Sequence, residues 1–196
     1  MFENCSKNVL LGNVARLFVG YPFRSTCIPG EQGILTCFLK DVDSSGVLNV
    51  AALKRVDGAM PNMSHIAREG QVVFRSRGAS FVAALVPQLF EDLLVAAPMI
   101  RIEVDKNMLL PEYLVWYINS SYGAAYFKEF AKGTGIPLIS KSVLEVMPMK
   151  LPDLESQKNI VDLMELNRRE RSLLSEIASK KDLILETEIT NYLESL

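Results

Sequence analysis

The chain's one histidine, His65, stands in the loop-like run Pro61-Asn62-Met63-Ser64-His65, and any Ser-His-Asp or Cys-His nucleophile would have to use it. Cys5, Cys27 and Cys37 show no C-x-x-C spacing, and no His/Cys cluster has the spacing of metal ligands. There is no G-x-x-x-x-G-K-[ST] phosphate loop, and no carboxylate stands two residues before a lysine as in many nucleases. An Asn/Asp-Pro-Pro-aromatic run, the mark of amino-methyltransferases, is missing as well. Gly133-Thr134-Gly135 is a lone G-x-G that follows no strand pattern. The chain is therefore not expected to be an enzyme or to hold a cofactor or metal, and His65→Ala is the direct test of the contrary view.

Three loops do concentrate cations, small residues and hydrogen-bonding groups: Gly20–Thr26, Phe74–Ser80 and Lys132–Lys141. Arg and Lys beside Ser, Thr and bare glycine amides suit phosphate oxygens, and Arg also reads guanine through two parallel hydrogen bonds. The residues expected to face DNA are Arg24, Lys40, Arg75, Arg77, Lys132, Thr134 and Lys141. Any one such loop alone would be a solvated turn; the three together point to nucleic acid.

Elements that position these loops are legible in the apolar pattern. Gly33–Leu39, Gln71–Phe74, Phe81–Val86 and Met99–Val104 read as strands, being rich in β-branched and aromatic residues. Lys40–Gly46 reads as a turn, and residues 7–17 as a short helix. Pro111 opens a helix over Glu112–Asn119, extended through Phe130. From Asp153 to Leu196 there is neither Gly nor Pro, and Asp153 can cap a long helix. Leu163, Leu166, Leu173, Ile177 and Ile184 recur at the spacing of a coiled-coil seam. The fold class is thus α+β: a mixed, many-stranded globular domain at 1–150, then one long C-terminal helix at 151–196 that wants a partner helix. The globular segment carries a net +2 and the helical segment −4, an asymmetry that assigns them different work. No run of ~18 apolar residues spans a membrane. The opening residues lack the basic and apolar regions of a secretory signal, and the odd cysteine number suits a reducing cytoplasm.

The order of these pieces resembles a target recognition domain followed by its conserved helix, as in the DNA-specificity (S) subunit of type I restriction–modification systems. Leu11-Gly12-Asn13-Val14 with Gly20-Tyr21-Pro22-Phe23 resembles the family's opening L-G-D-V … G-x-x-F, and Lys40-Asp41-Val42 its K/R-D-I. Gly70–Gly78 resembles G-D-I-L-F-S-R-x-G, and Leu110–Leu114 with Tyr117 resembles L-x-P-x-Y-L-x-Y. Gly133–Pro137 with Ile139 and Ser140, then Pro148, Leu151–Leu154, Gln157 and Ile160-Val161, resembles the segment that leads into the helix. Gln71, Arg75 and Ser156 depart from the usual residues without touching the apolar frame.

The resemblance implies a non-catalytic subunit that reads double-stranded DNA and gives its specificity to a partner adenine methyltransferase, with a translocating restriction subunit further out. A full subunit of this kind has two recognition domains and two helices; this chain has one of each, so it resembles either a half-subunit expected to form a homodimer through its helix or a truncated or split gene product. The rival class is an interaction module, a recognition-domain remnant that binds the methyltransferase without reading DNA. Neutral or occluded loops would be its sign.

Overall fold

A computed structural model of the chain describes residues 7–23, 29–130 and 136–195. It divides into two units, Met1–Lys158 and Asn159–Leu196. The first is α+β and many-stranded. Strand β1 (Lys7–Leu10) and a short 3-10 turn lead into β2 (Ala15–Val19), followed by β3 (Pro29–Cys37), β4 (Lys54–Val56) and β5 (Ile66–Ala67). Next come β6 (Val72–Arg75), β7 (Val82–Leu85), β8 (Leu93–Val95) and β9 (Ile100–Val104). Helices α1 (Pro111–Asn119), α2 (Ser121–Phe130) and α3 (Lys141–Glu145) precede β10 (Pro148–Leu151), and α4 covers Leu154–Glu194.

The strands form a four-stranded antiparallel sheet in the order β2-β9-β6-β7 and a mixed one in the order β4-β3-β8-β5. β1 pairs with β10, Lys7 opposite Leu151. Residues 7–17 are therefore not the helix expected from their local pattern. Val9 and Leu10 lie in register with Met149 and Pro148, a pairing across the whole domain that no local window reveals. Buried Cys37, Val42, Val73, Val82, Ala84, Leu93, Val95 and Met99 fill one continuous core. Phe127 of α2 seals another part of the interior against Phe74, ring centres 5.3 Å apart.

The helix expected to run from Glu112 through Phe130 is two helices. Pro111 starts α1, which buries Tyr113, Leu114, Tyr117 and Ile118. Ser120 breaks the run: its hydroxyl donates to the Tyr117 carbonyl and accepts from the Tyr122 amide. At Gly123 a Cβ would sit 2.0 Å from the Ile118 oxygen, so the chain can double back there only on a glycine. Asn119 ends α1 with its amide on the outer edge of β7, accepting from the Ala83 N–H and donating to the Ala83 carbonyl, both at 2.8 Å. That covers an otherwise open sheet edge.

The long helix starts where the sequence places it. Asp153 accepts from the Ser156 amide at 2.8 Å, and that bond holds its carboxyl below the usual carboxylate range. In the second unit Leu163, Leu166, Leu173, Ile177 and Ile184 are all at least half exposed. At ~1.5 Å per residue the 41-residue helix is about 62 Å long. Among the described residues no helix is long and apolar enough to cross a membrane.

Candidate nucleic-acid interface

The pairing registers bring many strand ends to one rim of the first unit. Val19 and Phe74 both lie opposite Ile100, and β3 and β8 run parallel to end together at Cys37 and Val95. Lys54 opens β4 opposite Thr36, and Ile66 opens β5 opposite Leu94. The loops leaving these ends are therefore neighbours, and the segment 95–99 with its cis Ala97–Pro98 bond ties them together. Tyr21 donates its N–H to the Val95 carbonyl and accepts from the Ala97 N–H, at 2.7 and 2.9 Å. The buried Ser76 hydroxyl donates to the Pro98 carbonyl at 2.6 Å.

On this frame the second and third cation-bearing loops lie side by side. Arg77 pairs with Leu138, the Ile139 amide donates to the Ser76 carbonyl at 2.8 Å, and the Gly78 amide to that of Pro137 at 3.3 Å. Gly78 has φ +121°, which only glycine takes without strain. Arg77 at this ladder is exposed. Arg75 is not: it is half-buried, it donates to the Val42 carbonyl at 3.3 Å, and a side chain added at Gly78 would meet its guanidinium at 3.3 Å. Its role in the geometry is to brace the hairpin against the 39–48 turn. Lys141, half-buried at the start of α3, pairs with Glu145 at 3.4 Å. Arg24, Lys132 and Thr134 lie outside the described residues.

Lys40 sits on the same rim, beside an aromatic cluster. The Phe23 ring stacks on Phe38 at 5.9 Å, Tyr21 meets Phe23 edge-on at 4.9 Å, and Lys40 Nζ is 6.0 Å from the Phe38 ring centre. The buried Asp41 carboxylate accepts from the Phe38 N–H at 2.8 Å and so fixes the turn that presents Lys40. Asp43 accepts from the Ser45 and Val47 amides, which shapes the following turn and keeps its carboxyl below the usual range. His65 is half-buried and meets Tyr21 edge-on at 5.4 Å, its Nδ1 accepting from the Asn62 N–H at 3.3 Å. It closes a turn that the buried Arg101 grips through the Ser64 carbonyl, Nε to oxygen 3.0 Å. Burial lowers the Arg101 pKa, while Glu103, 3.4 Å away, opposes that. Among the described residues no three His, Cys, Asp or Glu side chains converge as a metal site.

Sequence reasoning passed over Lys54, Phe38 and Arg101. Phe38 two residues before Lys40 is the kind of basic–aromatic interleaving that could have flagged the first turn. Lys54 carries no such signal, since only its register opposite Thr36 brings it to the rim.

The likenesses to known proteins agree with this architecture. The type I restriction enzyme MjaVIII specificity subunit of Methanocaldococcus jannaschii is 30% identical over 71 residues, 36% of this chain and 16% of that subunit. A chain from a structure on complex assembly and conformational transition of the type I R-M system superposes over 95% of this chain with a TM-score of 0.69 at 18% identity. The HsdS subunit from Thermoanaerobacter tengcongensis superposes over 90% with a TM-score of 0.63, again at 18% identity. No protein-family model matches. The fold is that of the type I restriction–modification specificity subunits. The chain spans 44% and 40% of the two solved chains, less than half of either.

Proposed function

We propose that this chain is a non-catalytic, cytoplasmic DNA-recognition subunit of a type I-like restriction–modification system, lending target specificity to a partner DNA adenine methyltransferase and its restriction subunit. The observation that carries the reading is the likeness of fold over 95% of the chain to a type I R-M chain, joined to the 30% identity with a type I specificity subunit. The domain over 1–150 reads one half-site with Lys40, Arg77 and Lys141; Arg24, Lys132 and Thr134, which lie outside the described residues, are assigned to DNA contact from the sequence, and Arg75 supports the rim from behind. The segment 151–196 pairs with its copy through Leu163, Leu166, Leu173, Ile177 and Ile184 and docks the methyltransferase. The exposure of those side chains supports pairing, since an apolar stripe so long is costly to leave in water. Two-fold pairing sets two recognition domains on a bipartite, palindromic target with a fixed gap.

The test is co-expression with a type I adenine methyltransferase subunit, followed by mapping of methylated adenines. A palindromic bipartite motif that vanishes when this chain is omitted is expected. Copurification of the two chains with no chain-dependent motif would refute DNA reading and leave a methyltransferase-binding module in its place.

A further inference from the structure

Beside the Lys40 turn the rim holds a cleft of about 470 Å³, lined by Phe38, Leu39, Lys40, Lys54, Val56 and Ala97, with Arg55 on the same wall. Its cations differ in availability. Arg55 is committed to the Glu91 carboxylate at 2.7 Å and to the Gly33 carbonyl at 2.9 Å. Lys40 and Lys54 are exposed, and neither has a carboxylate within ion-pair distance among the described residues. The Phe38 ring and the Leu39 and Val56 side chains supply an apolar wall between them.

We infer that this cleft is a clamp for the backbone of double-stranded DNA, with Lys54 and Lys40 on a phosphodiester and the Phe38 wall against the adjoining deoxyribose. The inference rests on the DNA-reading function proposed above and assigns that surface a second part. Lysine ammonium groups only donate hydrogen bonds. Phosphate oxygens only accept them at every step of the backbone, whereas the major-groove edge of any whole base pair includes an amino donor that two lysines cannot satisfy. The cleft also adjoins the Arg77 hairpin through the 97–98 segment: Ala97 lines it, and Pro98 accepts from Ser76. A phosphate seated here fixes the register in which Arg77 meets the bases, and carries no sequence information of its own.

Lys54→Ala in the complete complex with the methyltransferase tests this. Affinity is expected to fall by the same factor on the cognate duplex and on a scrambled one, with Lys54→Arg restoring it. One lost phosphate contact makes the salt slope shallower by about 0.9, so the wild-type advantage should shrink about 3.5-fold between roughly 50 and 200 mM salt. A loss confined to the cognate duplex, or an unchanged salt slope, would overturn the clamp while leaving DNA reading intact. Competition by free deoxynucleoside monophosphate that Lys54→Ala abolishes would also overturn it, in favour of a nucleotide-effector site. A wild-type complex that binds no duplex would sink the DNA-reading function itself.

Discussion

Gln157 is the one fully buried polar side chain of α4, with a relative exposure of 0%. Its amide nitrogen donates to the Met108 and Pro152 carbonyls, both at 2.8 Å, and its oxygen accepts from the Leu110 N–H at 2.8 Å. These bonds tie the first turns of α4 to the segment that launches α1. Gln157→Leu keeps most of the volume and abandons three backbone groups. At about 1 kcal/mol net for each bond, the loss is about 3 kcal/mol, and more wherever an abandoned group stays dry. That is a large part of the ~5–15 kcal/mol that holds a typical domain folded. The single tryptophan, Trp116, reports on it directly, because its ring packs on Tyr113 within α1 at 5.3 Å. Urea unfolding followed by Trp116 fluorescence should show a lower midpoint with an unchanged slope. Gln157→Glu keeps the acceptor and sets a carboxylate against two carbonyl oxygens, so it should cost at least as much. A loss under about 1 kcal/mol for either variant would refute the idea that this amide fastens the helix to the domain.

Arg77→Ala should leave the urea midpoint unchanged and weaken cognate DNA binding by roughly 1–3 kcal/mol if the guanidinium meets a guanine, measured by fluorescence anisotropy of the complete complex. Arg75→Ala should instead lower stability, because it removes the brace to the Val42 carbonyl; a variant as stable as the wild type and deficient only in DNA binding would return Arg75 to the interface. Leu173→Glu with Ile177→Glu should give a folded species of 21.9 kDa by light scattering, and a dimer persisting through both changes would place the pairing surface elsewhere. Burial lifts the Cys37 thiol from 9.0 to about 12 and the Tyr113 hydroxyl from 10.0 to about 12. The unfolded chain ionises first, so stability should hold below about pH 9 and fall as pH rises toward about 12. Cys37→Ala should make that fall shallower in alkaline urea titrations, and an identical fall would exclude Cys37 as a contributor.

What the sequence disclosed follows from how far apart the deciding residues lie. Val72–Arg75 and Ile100–Val104 announced themselves by composition because they are strands rich in β-branched and aromatic residues, and Val82–Leu85 by the unbroken apolar run Phe81–Val86 that contains it. The Asp153 cap and the Gly- and Pro-free run from Asp153 to Leu196 announced α4, which covers Leu154–Glu194. Lys7–Leu10 was misread because only Pro148–Leu151 makes it a strand, and the Leu93–Val95 strand is too short to show a period. At the rim, exposure decided what residue type could not. Arg75 and Arg77 are alike in sequence, yet Arg75 ends β6 with its guanidinium folded onto the Val42 carbonyl, while Arg77, past the strand at its bridge to Leu138, is exposed. Lys54 stayed hidden because its place depends on a register opposite β3, which its own neighbours in sequence do not encode.

The β1–β10 pairing also sets the order of events as the chain leaves the ribosome. Lys7–Leu10 emerges early, but its partner Pro148–Leu151 follows only after almost the whole domain has been made. β2 likewise waits for β9, Leu17 opposite Ile102. Such distant pairings put loop closure before reward, which is the arrangement that folds in milliseconds to seconds rather than microseconds. A nascent chain halted before residue 148 carries an unmatched strand at its front, open to pairing with a neighbouring chain. The β10 strand is thus the latch of the domain, and α4 begins only three residues beyond it.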